Sequence, residues 1–353
     1  MKLLILTLLT QNFIVMEKVP EMLRSDELTR YLLSKGLELL AQGKVRNTWR
    51  LDNGQLLVVA TDRISIFDFV LNALVPKKGE VLTALTHFWL TEVLDKFNHH
   101  LIESDEFFKV NFAWDLRETS LPELPIERCL VVKDFSGLVQ IFEFIFRAHI
   151  GGSVFKTYQE TSTAGGHKLP PGLPKWSKLD KPIFTPSTKE EVGHDVNVDA
   201  EYYFAQSGEA GKRLVRILAA AYDKVYAYAE ERGILILDTK LEATFDTIVD
   251  EVFTPDSSRF ATAEDWKQAM QEGRDPYFWD KQLVRDWGAK VTTPFGVTGI
   301  NKLDPENPEH LAFVHNLEVP PEIIQETARR YLGIFKMITD QSLEEYQKEM
   351  MMV

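Results

Sequence analysis

Residues 233–242 read GILILDTKLE, and the reading of this stretch decides the fold. Ile234 to Leu237 are apolar at every position and follow a glycine. A short apolar run bounded by a turn signal is a strand buried on both faces, as in the middle of a layered sheet. The tail that follows, Asp238-Thr239-Lys240-Leu241-Glu242, continues in extended form. Alternate residues of a strand share a face, so Asp238, Lys240 and Glu242 project together while Thr239 and Leu241 point the other way. A buried strand therefore delivers three charges to one side.

Working outward, the segment before this strand is a helix from about Ala210 to Glu231. Leu214, Leu218, Ala221, Tyr222 and Val225 fall on one face, and Gly233 is placed to end it. The segment after it, Thr247-Ile248-Val249, is again extended and ends in Asp250-Glu251. Paired as a hairpin, the two stretches bring Glu242 and Asp250 to one hard cation such as Mg²⁺, which prefers carboxylate oxygens and leaves room for phosphates. Lys240 between them would hold those phosphates. A solvated edge hairpin carries interspersed charges as well, and spacing alone leaves both readings open. Thr254-Pro255-Asp256-Ser257-Ser258-Arg259 then adds a turn, hydroxyls, a carboxylate and an arginine, a mixture suited to a phosphorylated sugar.

The first half of the chain is strand-rich. Residues 47–61 form two extended runs around Asp52-Asn53-Gly54, a hairpin signal. Val81 to Phe97 has helical spacing with one buried face, as does Pro321 to Ile338. Residues 165–186 concentrate Gly, Pro, Lys and Ser and read as a long surface connection rather than an element. The last residues, from Glu344 onward, read as frayed.

With 353 residues, 44% of them apolar and 26% charged, the chain has the composition of an ordinary globular protein of two lobes or domains. A net charge of -13 argues against broad nucleic-acid binding, which needs a basic face. Small anionic substrates need only a locally positive cleft. The single cysteine, Cys129, excludes an internal disulfide framework and fits a reducing, cytoplasmic setting. Residues 1–15 are apolar after Lys2 and are the one signal-like stretch, without a small-residue cleavage site and too short to span a bilayer. No membrane association is expected.

Further candidates lie upstream. Gly43-Lys44-Val45-Arg46 puts Lys44 and Arg46 on one strand face, next to a glycine that permits close backbone approach to a phosphate. Glu143 and Arg147 precede Gly152-Ser153 and suit a phosphate or carboxylate, or form a buried ion pair. Ser187-Thr188-Lys189 and His194-Asp195 sit beside the long connection. The chain has no G-x-x-x-x-G-K-[ST] and no G-x-G-x-x-G, so nucleotide binding calls for another architecture, such as a β-lobe over an acidic metal-binding lobe. Neither His99-His100 nor Cys129 has a catalytic partner pattern.

In order along the chain, GKVR (43–46), ATDRISIFD (60–68), VPKKGEVLTAL (75–85), EFIFR (143–147) with GGS (151–153), KLPPGL (168–173), IFTPSTKEE (183–191) with HD (194–195), GILILDTKLE, DEVFTPDSSRF (250–260) and DKQLVRDW (280–287) resemble the SAICAR synthetase family. The resemblance implies an α+β fold of two lobes: an extension over 1–16, an antiparallel β-rich, kinase-like ATP lobe over 17–135, and an α+β lobe over 136–353 with the cleft between. It implies ATP-dependent joining of the carboxylate of carboxyaminoimidazole ribonucleotide (CAIR) to the amine of L-aspartate through an acyl phosphate, a ligation of purine biosynthesis, by a monomer or homodimer. Carried over by residue, Lys44 and Arg46 contact ATP phosphates, and Glu242 and Asp250 hold Mg²⁺ and the nucleotide beside Lys240. Glu143, Arg147, Ser153, Lys189, Asp195, Asp256, Ser257 and Arg259 surround the ribonucleotide, and Asp62, Arg63, Ser65 and Lys78 place aspartate. One departure is Ala243, where a glycine commonly follows this glutamate. A small-molecule kinase and a non-catalytic binding protein of the same fold are the rival readings.

Overall fold

The computed structural model describes residues 25–34, 36–51, 54–102, 126–189 and 196–353. After helix α1 (Ser25–Ser34), strands β1 (Glu38–Gln42), β2 (Arg46–Leu51) and β3 (Gln55–Ala60) open an antiparallel sheet. The hairpin expected near residue 53 is present: β2 and β3 pair from Arg46 opposite Ala60 to Leu51 opposite Gln55. Asp52 and Asn53 lie outside the described residues, and Gly54 takes a φ of 72°, a value glycine adopts without steric penalty. Strands β4 (Arg63–Ile66) and β5 (Phe69–Leu74) make a separate two-stranded ribbon.

Helix α2 (Lys78–Phe88) is buried at every residue and runs on into a π-helical turn, Trp89–Val93. The periodicity predicts one buried face and an end near Phe97. The structure differs because α2 packs between the first sheet, against β3, and the C-terminal helices. Strand β6 (Cys129–Lys133) completes the first sheet in the order β1-β2-β3-β6.

The second sheet holds the stretch GILILDTKLE. Strand β7 (Phe142–His149) is followed by α3 (Phe155–Thr161), the short pair β8 (Thr163–Ala164) and β9 (His167–Lys168), β10 (Lys178–Phe184) and β11 (Ser187–Thr188). Then come α4 (Ala200–Glu231), β12 (Ile234–Ala243), β13 (Ile248–Val249) and β14 (Ser258–Thr262). The order is β10-β7-β12-β13, with β11 added to β7 and β14 to β12, all antiparallel. Ile234 to Leu237 are buried throughout, as expected of the middle of the sheet. Residues 165–186 are a correction: they are not one loop but contain β10, whose Leu179, Ile183 and Phe184 are buried. Its lysines and Pro182 masked it, and an edge strand tolerates both. Helix α4 begins earlier than expected and is broken at Gly208 (φ 59°, ψ -147°), just before the predicted start at Ala210.

Helices α5 (Ala263–Glu272), α6 (Gln282–Gly288), α7 (Pro308–His315), α8 (Pro321–Thr339) and α9 (Leu343–Glu349) finish the chain. The end expected to fray is instead helical. Ser342 and Glu345 form a capping box, and Leu343, Tyr346 and Met351 are buried, because α9 packs on α2. The main core joins Phe144 and Phe146 to Tyr222, Leu241 and Phe253, under α4 and α8. A second apolar cluster joins β4 and β5 to Val284, Ile300 and Val314 from far along the chain. Among the described residues, no helix is long and apolar enough to cross a membrane.

Candidate active site

Strand β12 ends at a hairpin in which Glu242 faces Val249, so that Asp250 follows one residue past its pair. Asp250 adopts a left-handed φ of 61° and meets Arg46 of the first sheet at 2.6 Å. Arg46 also pairs with Glu251 at 2.8 Å, so that its guanidinium spans both carboxylates. Glu242 is held by Lys189 at 2.5 Å. Burial raises Asp250 above the ordinary carboxyl range; Arg46 pulls it down, and the charge of Glu242 pushes it up again. The two carboxylates thus repel one another across a shared space, which is where a divalent cation is favoured. No group of three His, Cys, Asp or Glu gathers into a protein-only metal cage among the described residues. Two carboxylates are the donor type Mg²⁺ prefers, and here Asp250 is paired with Arg46 and Glu242 with Lys189.

Lys240 projects between these groups and the next cluster. It pairs with Glu143 at 2.5 Å, and Glu143 accepts from Ser187 at 3.0 Å. Burial works against its charge, but Glu143 and Glu242 outweigh that and hold it above the ordinary lysine range. Lys240 is therefore a fixed cation at neutral pH. Its backbone N–H donates to the carbonyl of Ser257, so Ser257 supports the strand at this point.

Two residues before Lys240, at the opposite end of the charged tail from Glu242, Asp238 accepts from both Arg147 and Arg259, the latter at 2.6 Å. Burial opposes its ionisation, and the two arginines more than reverse this. Arg147 also donates to Thr185 at 2.9 Å and to Ser153 at 3.3 Å. The buried Nε of Arg259 has no partner. Gly152, at φ 66°, sits so close that a Cβ there would stand 3.1 Å from Nη1 of both arginines. A backbone cradle, a hydroxyl and two guanidiniums with spare donors form an anion site of phosphate type.

The structure adds residues that the sequence reading missed. Asp280, pushed up to about 6 by burial, and Arg285 adjoin Arg259 and Asp238. Lys281, lowered to about 8 by burial, lies 4.0 Å from Asp256. Asp256 itself binds fully buried Lys78 at 2.7 Å and the Tyr331 hydroxyl at 2.5 Å. Its carboxyl sits below the usual range because Lys281 and Lys78 overcome the effect of burial. The DKQLVRDW block carried the only signal for Asp280, Lys281 and Arg285.

A narrow cleft opens beside Arg46. Its apolar wall is Val58 and Ala60 of β3, Leu82 of α2, and Leu130 and Val132 of β6; Arg46, His100, Asp250 and Glu251 also line it. These strand residues look like ordinary core in the sequence, so nothing distinguished them. Of the other expected residues, Lys44 is exposed and paired with Asp68 at 2.5 Å. Asp62 binds Arg128 at 2.5 Å and the Gly79 N–H at 3.0 Å. Arg63 donates to the Gly43 carbonyl at 2.8 Å, and Ser65 lies in the β4–β5 ribbon opposite Val70. Only Lys78 of the four residues expected to place aspartate reaches the Asp256 cluster. Asp195 lies outside the described residues.

The sequence pattern of the SAICAR synthetase family matches residues 39–298. The phosphoribosylaminoimidazole-succinocarboxamide synthase of Thermodesulfovibrio yellowstonii is 37% identical over 312 residues, covering 86% of this chain and 96% of the relative. That of Mannheimia succiniciproducens is 36% identical over 310 residues, covering 86% and 98%. Among solved structures, a SAICAR synthase from Saccharomyces cerevisiae complexed with SAICAR aligns with a TM-score of 0.69 at 32% identity, covering 87% of this chain and 96% of that one. A SAICAR synthetase in complex with ADP aligns with a TM-score of 0.56 at 17% identity and shares the fold. With both sheets, the acidic hairpin and the arginine cradle in place, the chain belongs to the SAICAR synthetase family.

Proposed function

We propose that this chain joins the carboxylate of CAIR to the amine of L-aspartate with consumption of ATP, giving SAICAR, ADP and phosphate. One observation carries the reading: one face of β12 presents Asp238, bound by Arg147 and Arg259, then Lys240, then Glu242, and its hairpin partner leads into Asp250 beside the cleft. The apolar cleft takes the adenine ring and Arg46 meets the triphosphate. Arg147, Arg259, Ser153 and Gly152 take the ribonucleotide phosphate. CAIR then lies along the strand with its imidazole carboxylate near Lys240.

A CAIR carboxylate oxygen attacks the γ-phosphorus, and the bond to the leaving ADP oxygen breaks. The aspartate nitrogen then attacks the resulting acyl carbon, phosphate departs, and the nitrogen loses a proton. The order is chemically required, since a carboxylate resists attack at neutral pH until it carries a leaving group. Lys240, held cationic, stabilises charge on the transferring phosphoryl group, and Arg46 does the same from the opposite sheet. Glu242 and Asp250 would hold Mg²⁺, which would neutralise phosphate charge there. Lys78 and Lys281 around Asp256 are the cations in place for the aspartate carboxylates.

The test is product analysis after incubation with Mg-ATP, CAIR and aspartate. SAICAR and ADP are expected in equal amounts, and Glu242→Ala is expected to lower their formation by ~100-fold or more while the variant stays folded by circular dichroism. Undiminished turnover by that variant would remove Glu242 from the mechanism. Phosphorylation of an added alcohol without aspartate would support a kinase instead.

A further inference from the structure

Trp176 lies in the Gly- and Pro-rich stretch KLPPGLPKWS (168–177), which reads as surface connection, yet it is only 3% exposed. Its backbone takes a left-handed φ of 68°, a conformation that costs free energy for a bulky side chain and persists only where the surroundings enforce it. Here they do. The Trp176 carbonyl accepts from Trp266 Nε1 at 2.8 Å and lies 3.1 Å from His149 Nδ1. Its N–H donates to the Ile150 carbonyl at 2.7 Å, and its indole N–H donates to Asp275 at 2.9 Å. Phe278 meets the ring edge-on at 5.1 Å.

The indole held in this way touches two parts of the arginine cradle. A Cβ on Gly151 would overlap the ring. Gly151 itself is extended, with φ -171°, a conformation open to every residue, so the close approach of the indole and not the backbone calls for glycine there. The Arg259 guanidinium carbon stands 5.6 Å from the ring centroid, within cation–π range. The Ile150 N–H also donates to the Ser177 carbonyl at 3.0 Å, so the chain is tied in both directions immediately before Gly151-Gly152-Ser153. An aromatic that served only to anchor the connection would need neither a glycine against it nor an arginine over it.

Resting on the reading of the cradle as the ribonucleotide phosphate site, we propose that Trp176 is its positioning residue: the indole fixes where the Gly151–Ser153 backbone and the Arg259 guanidinium stand, and it acts on a phosphate monoester only through them. Its influence is therefore confined to the phosphorylated substrate end, and the nucleotide and aspartate sites do not feel it.

The experiment is steady-state kinetics on Trp176→Leu, on Trp176→Phe, which keeps an aromatic ring beside Arg259, and on Gly151→Ala, which disturbs the same contact from the other side. Trp176→Leu and Gly151→Ala should each raise KM for CAIR by roughly 10-fold, with KM for ATP and for aspartate within about 2-fold of the wild type, because a small misplacement is felt only where it occurs. Trp176→Phe should recover most of the loss. The ratio of kcat/KM for CAIR to that for its dephosphorylated riboside should fall roughly 10-fold in Trp176→Leu, whereas a general loosening of the fold lowers both substrates alike and leaves the ratio intact. An unchanged ratio, or KM values for all three substrates rising together, would overturn the inference. Should Trp176→Leu not fold, Gly151→Ala carries the same comparison. Calorimetric binding of ribose 5-phosphate reads the cradle without the ligation. Weaker binding by Trp176→Leu in a protein whose wild type forms no SAICAR refutes the ligase reading and supports this one; SAICAR formed by Trp176→Leu with a wild-type KM for CAIR does the reverse.

Discussion

Asp280 stands where burial and neighbouring charge pull in opposite directions. Its 2% exposure lifts its carboxyl to about 6, while Arg259 and Arg285 favour the ionised form. In the unfolded chain an aspartate titrates near 3.9, so between about 4 and 6 the native protein holds a proton that the unfolded chain has released. Stability contributed by this group therefore falls as pH rises through that window. Asp280→Asn, which keeps the neutral shape, should gain melting temperature relative to the wild type as pH is raised from 4 to 7. A constant difference across that range would show that the carboxyl does not titrate there. At this scale, the shared face of Asp238, Lys240 and Glu242 was legible because a strand's two-residue period puts alternate residues on one side. The burial of Lys281 and Arg285 was not, because cations on a short helix usually mark a solvated face. Lys44, expected at the nucleotide phosphates, pairs its side chain with Asp68.

Among the elements, β12 was readable from its apolar run, and α8 from its periodicity. Helix α2 was misjudged in extent and burial because a helix enclosed on all sides loses the amphipathic signature that marks a surface helix. Strand β10 was hidden by lysines and a proline that suit an edge. Helix α9 was missed because its stability comes from tertiary contacts: Tyr346 reaches His87 at 2.8 Å and Gln347 reaches Glu80 at 3.1 Å, partners more than two hundred residues away in sequence. Tyr346→Ala would leave a cavity against Phe88 and Phe335, whose rings meet it edge-on. We expect a loss of about 3–5 kcal/mol in denaturant unfolding. A loss below ~1 kcal/mol would mean that the C-terminal turn is a loose attachment.

On the scale of the whole molecule, the two sheets are joined by shared interior. Helix α2 packs on both the first sheet and the C-terminal helices, and the β4–β5 ribbon completes its apolar cluster with Val284, Ile300 and Val314. Cooperative unfolding follows from such interleaving. Urea transitions followed by far-ultraviolet circular dichroism and by tryptophan fluorescence should superimpose; two separated steps would show that the first sheet melts alone. The α+β class was implied by the resemblance of the ordered motifs, but this interleaving was not, since no local signal records which distant residues close a cluster. The charged tail of β12 has a last consequence for chemists. Asp238 and Glu242 are four residues apart on one straight strand, about 13 Å at a rise of ~3.3 Å per residue. The backbone acts as a ruler between the sugar-phosphate end and the nucleotide end. A bisubstrate inhibitor that links an imidazole ribotide to an adenosine phosphate therefore needs a spacer cut to that length, and shortening or extending it by one bond should be felt as lost affinity.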